Sequence, residues 1–210
     1  MSPSPQPWVG HRILPLVVID EPKTVRSVID ALGQGGLSII EIALRTPAAL
    51  RAIEVAADHG GMTIAAGTVT TVEQVRNAID AGASFGLAPS SVLPVMEAAQ
   101  SAHWPFIPGI ATVSEAHSAH DKGFGFQKVY PADLLGAEKF ARSIYDTLPD
   151  INLLPSGGVT QSTMETYLRE PNVFGVSGSW IAPRDLVAAG DFAEISRRAR
   201  EASEAVKSLG

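Results

Sequence analysis

The sequence contains no cysteine, which excludes disulfides, thiolate nucleophiles and cysteine-ligated zinc and fits a cytoplasmic setting. Hydrophobic residues make up 45% of the chain, but no apolar run approaches the roughly 20 residues that a helix needs to cross a bilayer. Charged residues make up only 18%, the formal net charge is −6, and no run of Lys or Arg could follow a phosphate backbone. We therefore expect neither a membrane span nor a nucleic-acid partner.

Several catalytic motifs are also missing. The chain has no Gly-x-Ser-x-Gly elbow, no phosphate-cradling loop ending in Gly-Lys-Ser or Gly-Lys-Thr, and no dinucleotide fingerprint. These absences argue against hydrolase, nucleotidase and dehydrogenase functions. His117 and His120 are three residues apart in a predicted helix, but no third ligand is evident. We predict no metal site and no cofactor.

The length of 210 residues suits one domain with one core. Residues 1–10 begin with a segment rich in Pro and Ser that lacks the basic and apolar regions of a signal peptide. We predict a flexible tail over residues 1–10 and a single domain over residues 11–210.

Short apolar runs alternate with stretches of helical spacing, such as Val25, Ile29 and Leu32. Strands joined by crossover helices must run parallel, and eight such units can close into a barrel. The sequence thus predicts an α/β fold, a single (β/α)8 TIM barrel, with a doubly wound open sheet as the alternative. The eight predicted strands are residues 13–19, 37–44, 62–66, 84–88, 105–110, 126–130, 151–155 and 173–176.

Lys128 differs from the other four lysines because it lies in the middle of an apolar strand. Strand alternation puts Phe126, Lys128 and Tyr130 on one face. If that face is the barrel interior, desolvation favours the neutral amine, which is the form that attacks a ketone to give a Schiff base. The alternative is a lysine that pairs with a carboxylate or reaches the rim.

Glu41 and Arg45 share a face of the second predicted strand, with Arg45 nearer its carboxyl end. A carboxylate in apolar surroundings could transfer protons, and an arginine could bind a substrate carboxylate through two hydrogen bonds. The alternative is an internal ion pair between these two residues.

Small and hydroxyl-bearing residues end several predicted strands. Residues 156–158 read Ser-Gly-Gly and residues 178–180 read Gly-Ser-Trp, after strands seven and eight. In TIM barrels these two loops commonly bind phosphate through backbone amides. The alternative is ordinary tight-turn chemistry. Thr68 and Thr112 end strands three and five and could add hydroxyls to the rim.

Six segments in this order resemble the 2-keto-3-deoxy-6-phosphogluconate (KDPG) aldolase family, which includes enzymes that also cleave 2-keto-4-hydroxyglutarate (KHG). The resemblance covers nearly the whole chain after the tail. The segments are Glu-Ile-Ala-Leu-Arg-Thr at 41–46, Ala-Gly-Thr-Val at 66–69, Ile-Pro-Gly-Ile-Ala-Thr-Val-Ser-Glu at 107–115, Lys-Val-Tyr-Pro-Ala at 128–132, Pro-Ser-Gly-Gly-Val at 155–159 and Gly-Ser-Trp at 178–180.

The resemblance implies a class I, metal-independent aldolase that releases pyruvate and glyceraldehyde 3-phosphate from KDPG. Lys128 matches the Schiff-base lysine and Glu41 the general acid/base. Arg45 and Thr68 match residues that handle the keto-acid end. Ser156 stands near the substrate carboxylate and carbonyl, where the family usually has Thr.

The resemblance also implies where the rest of the substrate binds and how the enzyme assembles. Gly157, Gly158 and Ser179 match the phosphate-binding positions, and family members are typically homotrimers. Pro89 matches a substrate-binding position, although the family often has Pro-Gly there and this chain has Pro89 before Ser90. Departures of this kind near the rim concern the aldehyde portion of the substrate.

Two other functions stay open from the sequence. One is a phosphate-binding barrel isomerase or epimerase, in which Glu41 abstracts a proton and Lys128 supplies charge. The other is a binding module that keeps a sugar-phosphate pocket without catalysis. A related 2-keto-3-deoxy sugar acid is the alternative substrate.

Overall fold

The structure is a computed structural model that describes residues 6–209. Within these residues nine strands alternate with ten helices. The strands are β1 (Ile13–Val17), β2 (Ile39–Ala43), β3 (Thr63–Gly67), β4 (Phe85–Leu87), β5 (Phe106–Ile107), β6 (Gly109–Ile110), β7 (Phe126–Val129), β8 (Asn152–Pro155) and β9 (Val176–Gly178). The helices are α1 (Thr24–Gln34), α2 (Ala49–His59), α3 (Val72–Asp80), α4 (Leu93–Ser101), α5 (Val113–Asp121), α6 (Ala132–Leu135), α7 (Ala137–Thr147), α8 (Met164–Leu168), α9 (Arg184–Ala189) and α10 (Phe192–Lys207).

Each of the eight predicted runs contains strand residues. The run at 105–110 holds both β5 and β6, which are separated at Pro108. Proline has no N–H to donate and interrupts a ladder. The last run begins with an isolated bridge between Val173 and Leu153, and its strand β9 starts only at Val176.

All strand pairs are parallel, and the order β5-β4-β3-β2-β1-β9 defines one sheet while β6-β7-β8 defines another. The predicted parallel α/β architecture is confirmed. Within residues 6–209 the pairing does not form a continuous eight-stranded ladder, because it breaks at Pro108 and because only isolated bridges join the region of β8 to that of β9. The sequential order has no reversal point, so the doubly wound alternative is wrong.

Helices cover the outer face of the strands. The spacing predicted for α1 is confirmed, since Val25, Ile29 and Leu32 are all buried. Helices α3 and α5 each begin with a capping box, in which Thr71 or Thr112 accepts a hydrogen bond from the backbone three residues on. These caps fix the helices directly after strands β3 and β6.

The large core includes the helix residues that pack on the strands, and a smaller core lies on the inner face of the strands. Its lower part is a set of four rings that we call the aromatic cluster: Trp8, Phe85, Phe126 and Phe174. Ring centroids lie 5.1 Å apart for Trp8–Phe85, 5.4 Å for Trp8–Phe126 and 5.1 Å for Phe126–Phe174. Side chains far apart in sequence therefore meet inside the curled sheets.

The predicted flexible tail over residues 1–10 falls in part outside the described residues. Flexibility of residues 6–10 stays a prediction, although Trp8 among them is only 4% exposed. This burial has a physical reason: a large apolar side chain next to the first strand fills the interior at the amino ends of the strands.

Candidate active site

Three polar side chains meet in the interior, and we call them the polar cluster: Glu41, Lys128 and Ser177. Lys128 Nζ donates to Glu41 Oε1 at 2.9 Å, and Ser177 Oγ donates to Glu41 Oε2 at 2.7 Å. Glu41 and Ser177 are fully buried and Lys128 is 3% exposed. Buried charges are costly unless paired and hydrogen-bonded, and here both carboxylate oxygens have a donor.

The strands position this cluster through their register. Glu41 on β2 lies opposite Leu16 of β1 and Ala65 of β3. Lys128 on β7 lies opposite Leu154 of β8. Because side chains alternate along strands, these polar groups point inward while their neighbours in sequence face the helices.

Gly67, at the end of β3, leaves room for the carboxylate. A Cβ at this position would overlap the Glu41 side chain. In the segment Ala-Gly-Thr at 66–68, which lies at the strand end, Gly67 is therefore required for steric reasons. A substitution at Gly67 would displace Glu41 from its hydrogen bonds.

A cavity of about 360 Å³ opens at the carboxyl ends of the strands. Five of the predicted site residues line it: Arg45, Ser156, Gly157, Gly158 and Ser179. Binding sites in TIM barrels occur at this end. The cavity also has Leu16, Tyr130, Val159, Thr160, Gly178, Trp180, Pro183 and Arg198 in its wall.

The Gly-Gly loop after β8 depends on the two glycines. Gly157 has φ +89° and Gly158 has φ +74°, a region that side-chain-bearing residues rarely adopt. A Cβ at Gly158 would overlap the Asp133 carboxylate. The glycines therefore serve a tight turn, and the same turn brings backbone to the cavity wall.

Arg45 does not pair with Glu41. Its Nε donates to Thr68 Oγ1 at 3.1 Å, while the carboxylate of Glu41 bonds Lys128 and Ser177. The alternative of an internal Glu41–Arg45 ion pair is therefore wrong. Arg45 is exposed and presents its guanidinium to the cavity.

The four predicted site residues that do not line the cavity lie in three different positions. Lys128 and Glu41 lie deeper than the cavity wall, since Tyr130, which follows the end of β7 two residues beyond Lys128, is a wall residue. Thr68 is connected to the cavity through Arg45. Pro89 is not among the wall residues, and it packs where a Cβ on Gly109 would overlap its backbone.

Arg198 and Ser177 were not predicted as site residues. Arg198 on α10 donates to the Trp180 carbonyl oxygen and to Glu194, each at 2.8 Å. Hydrogen bonds from Arg197 and Arg198 lower the pKa of the Glu194 carboxyl to about 2. Its two hydrogen bonds hold Arg198 at the cavity edge. The sequence pattern does not mark Arg198, because it lies on a helix that is separated in sequence from the residues at the strand ends.

Two kinds of site are absent from residues 6–209. No three His, Asp or Glu side chains cluster there in a way that could hold a metal ion. None of the helices in that range is long and apolar enough to cross a membrane.

A lysine amine beside a carboxylate, under an open cavity of a parallel α/β fold, defines the class of proteins that can perform carbonyl chemistry through an imine. Comparisons with known proteins narrow the class. Residues 9–198 match the model of the KDPG and KHG aldolase family. The chain belongs to this family.

Characterised relatives cover most of the chain. It is 36% identical to a 2-dehydro-3-deoxy-phosphogluconate aldolase of Pseudomonas aeruginosa, over 92% of this chain and 88% of that protein. It is 33% identical to a KHG/KDPG aldolase of Escherichia coli K12, over 93% and 92%.

A solved structure is similar throughout. KDPG aldolase from Legionella pneumophila, with pyruvate captured at low pH as a covalent carbinolamine intermediate, is 31% identical with a TM-score of 0.89. The match covers 92% of this chain and 95% of that chain.

Proposed function

We propose that this chain is a class I aldolase that cleaves KDPG to pyruvate and glyceraldehyde 3-phosphate, and that also accepts KHG. Family membership and the carbinolamine described for the Legionella relative support the reaction. The observation that carries the proposal is the buried pair of Lys128 and Glu41, 2.9 Å apart beneath a cavity.

The pair can begin the reaction without another base. Lys128 passes a proton to Glu41 across their hydrogen bond and becomes a neutral amine. The amine attacks C2 of the 2-keto acid to give a carbinolamine, and Glu41 returns its proton to the leaving hydroxyl, so that water departs, an iminium forms and Glu41 is again a carboxylate. The positive nitrogen then attracts the electron pair of the bond to be broken.

Cleavage needs one more proton transfer. Glu41 takes the C4 hydroxyl proton, directly or through a water, and the C3–C4 bond breaks to give the aldehyde and an enamine. Protonation of the enamine and hydrolysis release pyruvate and restore Lys128. Because the iminium takes up the electron pair, this route requires no divalent metal.

The cavity residues have complementary functions in the proposal. Arg45, positioned by Thr68, and Ser156 bind the keto-acid carboxylate. The backbone amides of Gly157 and Gly158 with the Ser179 hydroxyl bind the phosphate. Pro89 shapes the rim near the aldehyde portion.

The proposal also covers the domain, the barrel, the assembly and the cellular setting. We propose that residues 11–210 form one domain whose two sheets act as one closed eight-stranded barrel. The pairing of β1 with β9 supports closure. From the resemblance we also propose a homotrimer, measurable by light scattering. From the missing thiols and the family we propose a cytoplasmic enzyme of sugar-acid degradation of the Entner–Doudoroff type.

Borohydride reduction in the presence of pyruvate tests the chemistry, since only an imine is reduced to a stable adduct. We expect mass spectrometry to find the adduct on Lys128, loss of activity with it, and full activity after chelation by EDTA. A Lys128→Arg variant should give no adduct. Labelling at Lys122 or Lys139, or the absence of any adduct as for an isomerase or a binding module, would contradict the proposal.

A further inference from the structure

Glu41 has a second partner that the reaction as described above does not use. Ser177 Oγ donates to Glu41 Oε2 at 2.7 Å, while the other carboxylate oxygen accepts from Lys128. The two donors approach different oxygens. The carboxylate is therefore held at both oxygens.

The sheet topology brings Ser177 to this position. Strand β1 lies between β2 and β9, with Leu16 opposite Glu41 and Leu14 opposite Ser177. The Ser177 hydroxyl is fully buried and reaches past β1 to the carboxylate. The contact therefore depends on pairing between the first and last strands.

The two donors differ in what happens to them in the proposed reaction. Lys128 loses hydrogens when its amine becomes an iminium, and its nitrogen then belongs to the covalent intermediate. Ser177 keeps its hydroxyl in every step. It can donate to the carboxylate form of Glu41 and rotate to accept from the acid form.

We propose that Ser177 is a positioning residue that holds Glu41 for proton transfer while Lys128 is bound to substrate. This inference rests on the proposed function. Without the Ser177 hydroxyl, Oε2 loses the donor that it has among residues 6–209, and the carboxylate can turn away from the reacting carbon. Proton transfer should then suffer more than imine formation.

Pyruvate alone permits a test that separates these steps. In the iminium, a methyl C–H bond breaks, its proton goes to Glu41, and its electron pair forms the enamine C=C bond as the C=N pair moves to nitrogen. In D2O the reverse step delivers a deuteron. NMR therefore measures Glu41 proton transfer, and borohydride trapping measures the imine.

For Ser177→Ala we expect methyl exchange and kcat to fall about 10- to 100-fold, the effect of losing a hydrogen bond to a buried charge. Trapping on Lys128 and KM should change less than about threefold. Ser177→Cys keeps the shape with a weak donor, so its exchange rate should lie between those of Ala and wild type. Ser203→Ala, which removes a buried hydroxyl on α10, should leave both rates unchanged.

The outcomes are distinct. Wild-type exchange in Ser177→Ala, or equal losses in exchange and trapping, would overturn the positioning function. If the Ala variant does not fold, Ser177→Cys decides, because unreduced exchange in that variant would also overturn it. Absence of trapping in the wild-type protein would instead remove the proposed function itself.

Discussion

Strand β7 contributes two side chains to the interior, and they belong to opposite environments. Phe126 joins the aromatic cluster, with ring centroids 5.4 Å from Trp8 and 5.1 Å from Phe174. Lys128, two residues or about 6–7 Å further along, joins the polar cluster with Glu41. Phe126 and Lys128 are successive inward-facing residues, so the aromatic cluster and the polar cluster are adjacent along β7.

The fold places the residues that favour folding and the residues that carry the chemistry in two different clusters. The aromatic cluster fills the amino ends of the strands with large apolar surface, which favours folding. The polar cluster contributes little to the free energy of folding, because the cost of removing its groups from water offsets the attraction between them. Substitutions in the two clusters should therefore affect different measurements.

The largest effect on kcat is expected at Glu41, and a loss of stability alone would contradict its place in the chemistry. For Glu41→Gln we expect kcat to fall about 10²- to 10⁴-fold, the usual range for a general acid/base. The amide keeps the side-chain shape and cannot take the proton. Steady-state kinetics and urea unfolding together measure both consequences.

A matched control exists in Glu170, a buried carboxylate whose Oε2 lies 2.9 Å from Arg142 Nε. Glu170→Gln also removes a carboxylate from a partly buried pair, but away from the cavity. We expect lower stability with normal kcat. A Glu41 variant that behaved like the Glu170 variant would show that Glu41 only pairs with Lys128.

The next effect lies in the aromatic cluster. Trp8→Ala should lower the free energy of unfolding by about 3–5 kcal/mol, as expected for truncating a buried tryptophan. The kcat of the folded fraction should stay unchanged, because the Trp8 ring packs against Phe85 and Phe126 at the amino ends of the strands, away from the cavity. Val9→Ala is the control, since Val9 is 61% exposed and should change stability by less than about 0.5 kcal/mol.

The Trp8 experiment has two informative outcomes. Loss of stability alone would confirm that the two clusters act independently. A fall in kcat measured well below the melting temperature would show that the aromatic cluster also positions Lys128 through β7.

The fold was largely predictable because period-two and helical spacings act locally. Val25, Ile29 and Leu32 are buried as their spacing predicted, and each apolar run contains strand residues. The break at Pro108 was visible as a proline within a run, but its effect on sheet pairing depends on neighbours that the sequence does not identify. Burial of Trp8 likewise depends on distant rings.

The candidate site was predictable strand by strand but not across strands. Lys128 stood out as a cation in an apolar run, and Glu41 as a carboxylate in another. Their pairing, and the exclusion of Arg45 from it, follow from register and closure. Ser177 precedes a noted turn, yet only the position of β9 beside β1 brings it to Glu41.

The smallest effect is expected at Ser179, which lies two residues beyond Ser177 and differs from it in exposure. Ser177 is fully buried, whereas Ser179 is exposed at the cavity wall. Ser179→Asp should set a carboxylate against the substrate phosphate. The lost hydrogen bond costs about 1.5–3 kcal/mol, or roughly 10- to 100-fold in KM for KDPG, and repulsion adds to this. KM for KHG, which has no phosphate, should change far less. Ser101→Asp places the same charge on an exposed position of α4 and should leave both KM values unchanged. Equal increases for both substrates in steady-state assays would show that Ser179 does not contact phosphate, and that substrate discrimination belongs to another part of the cavity wall.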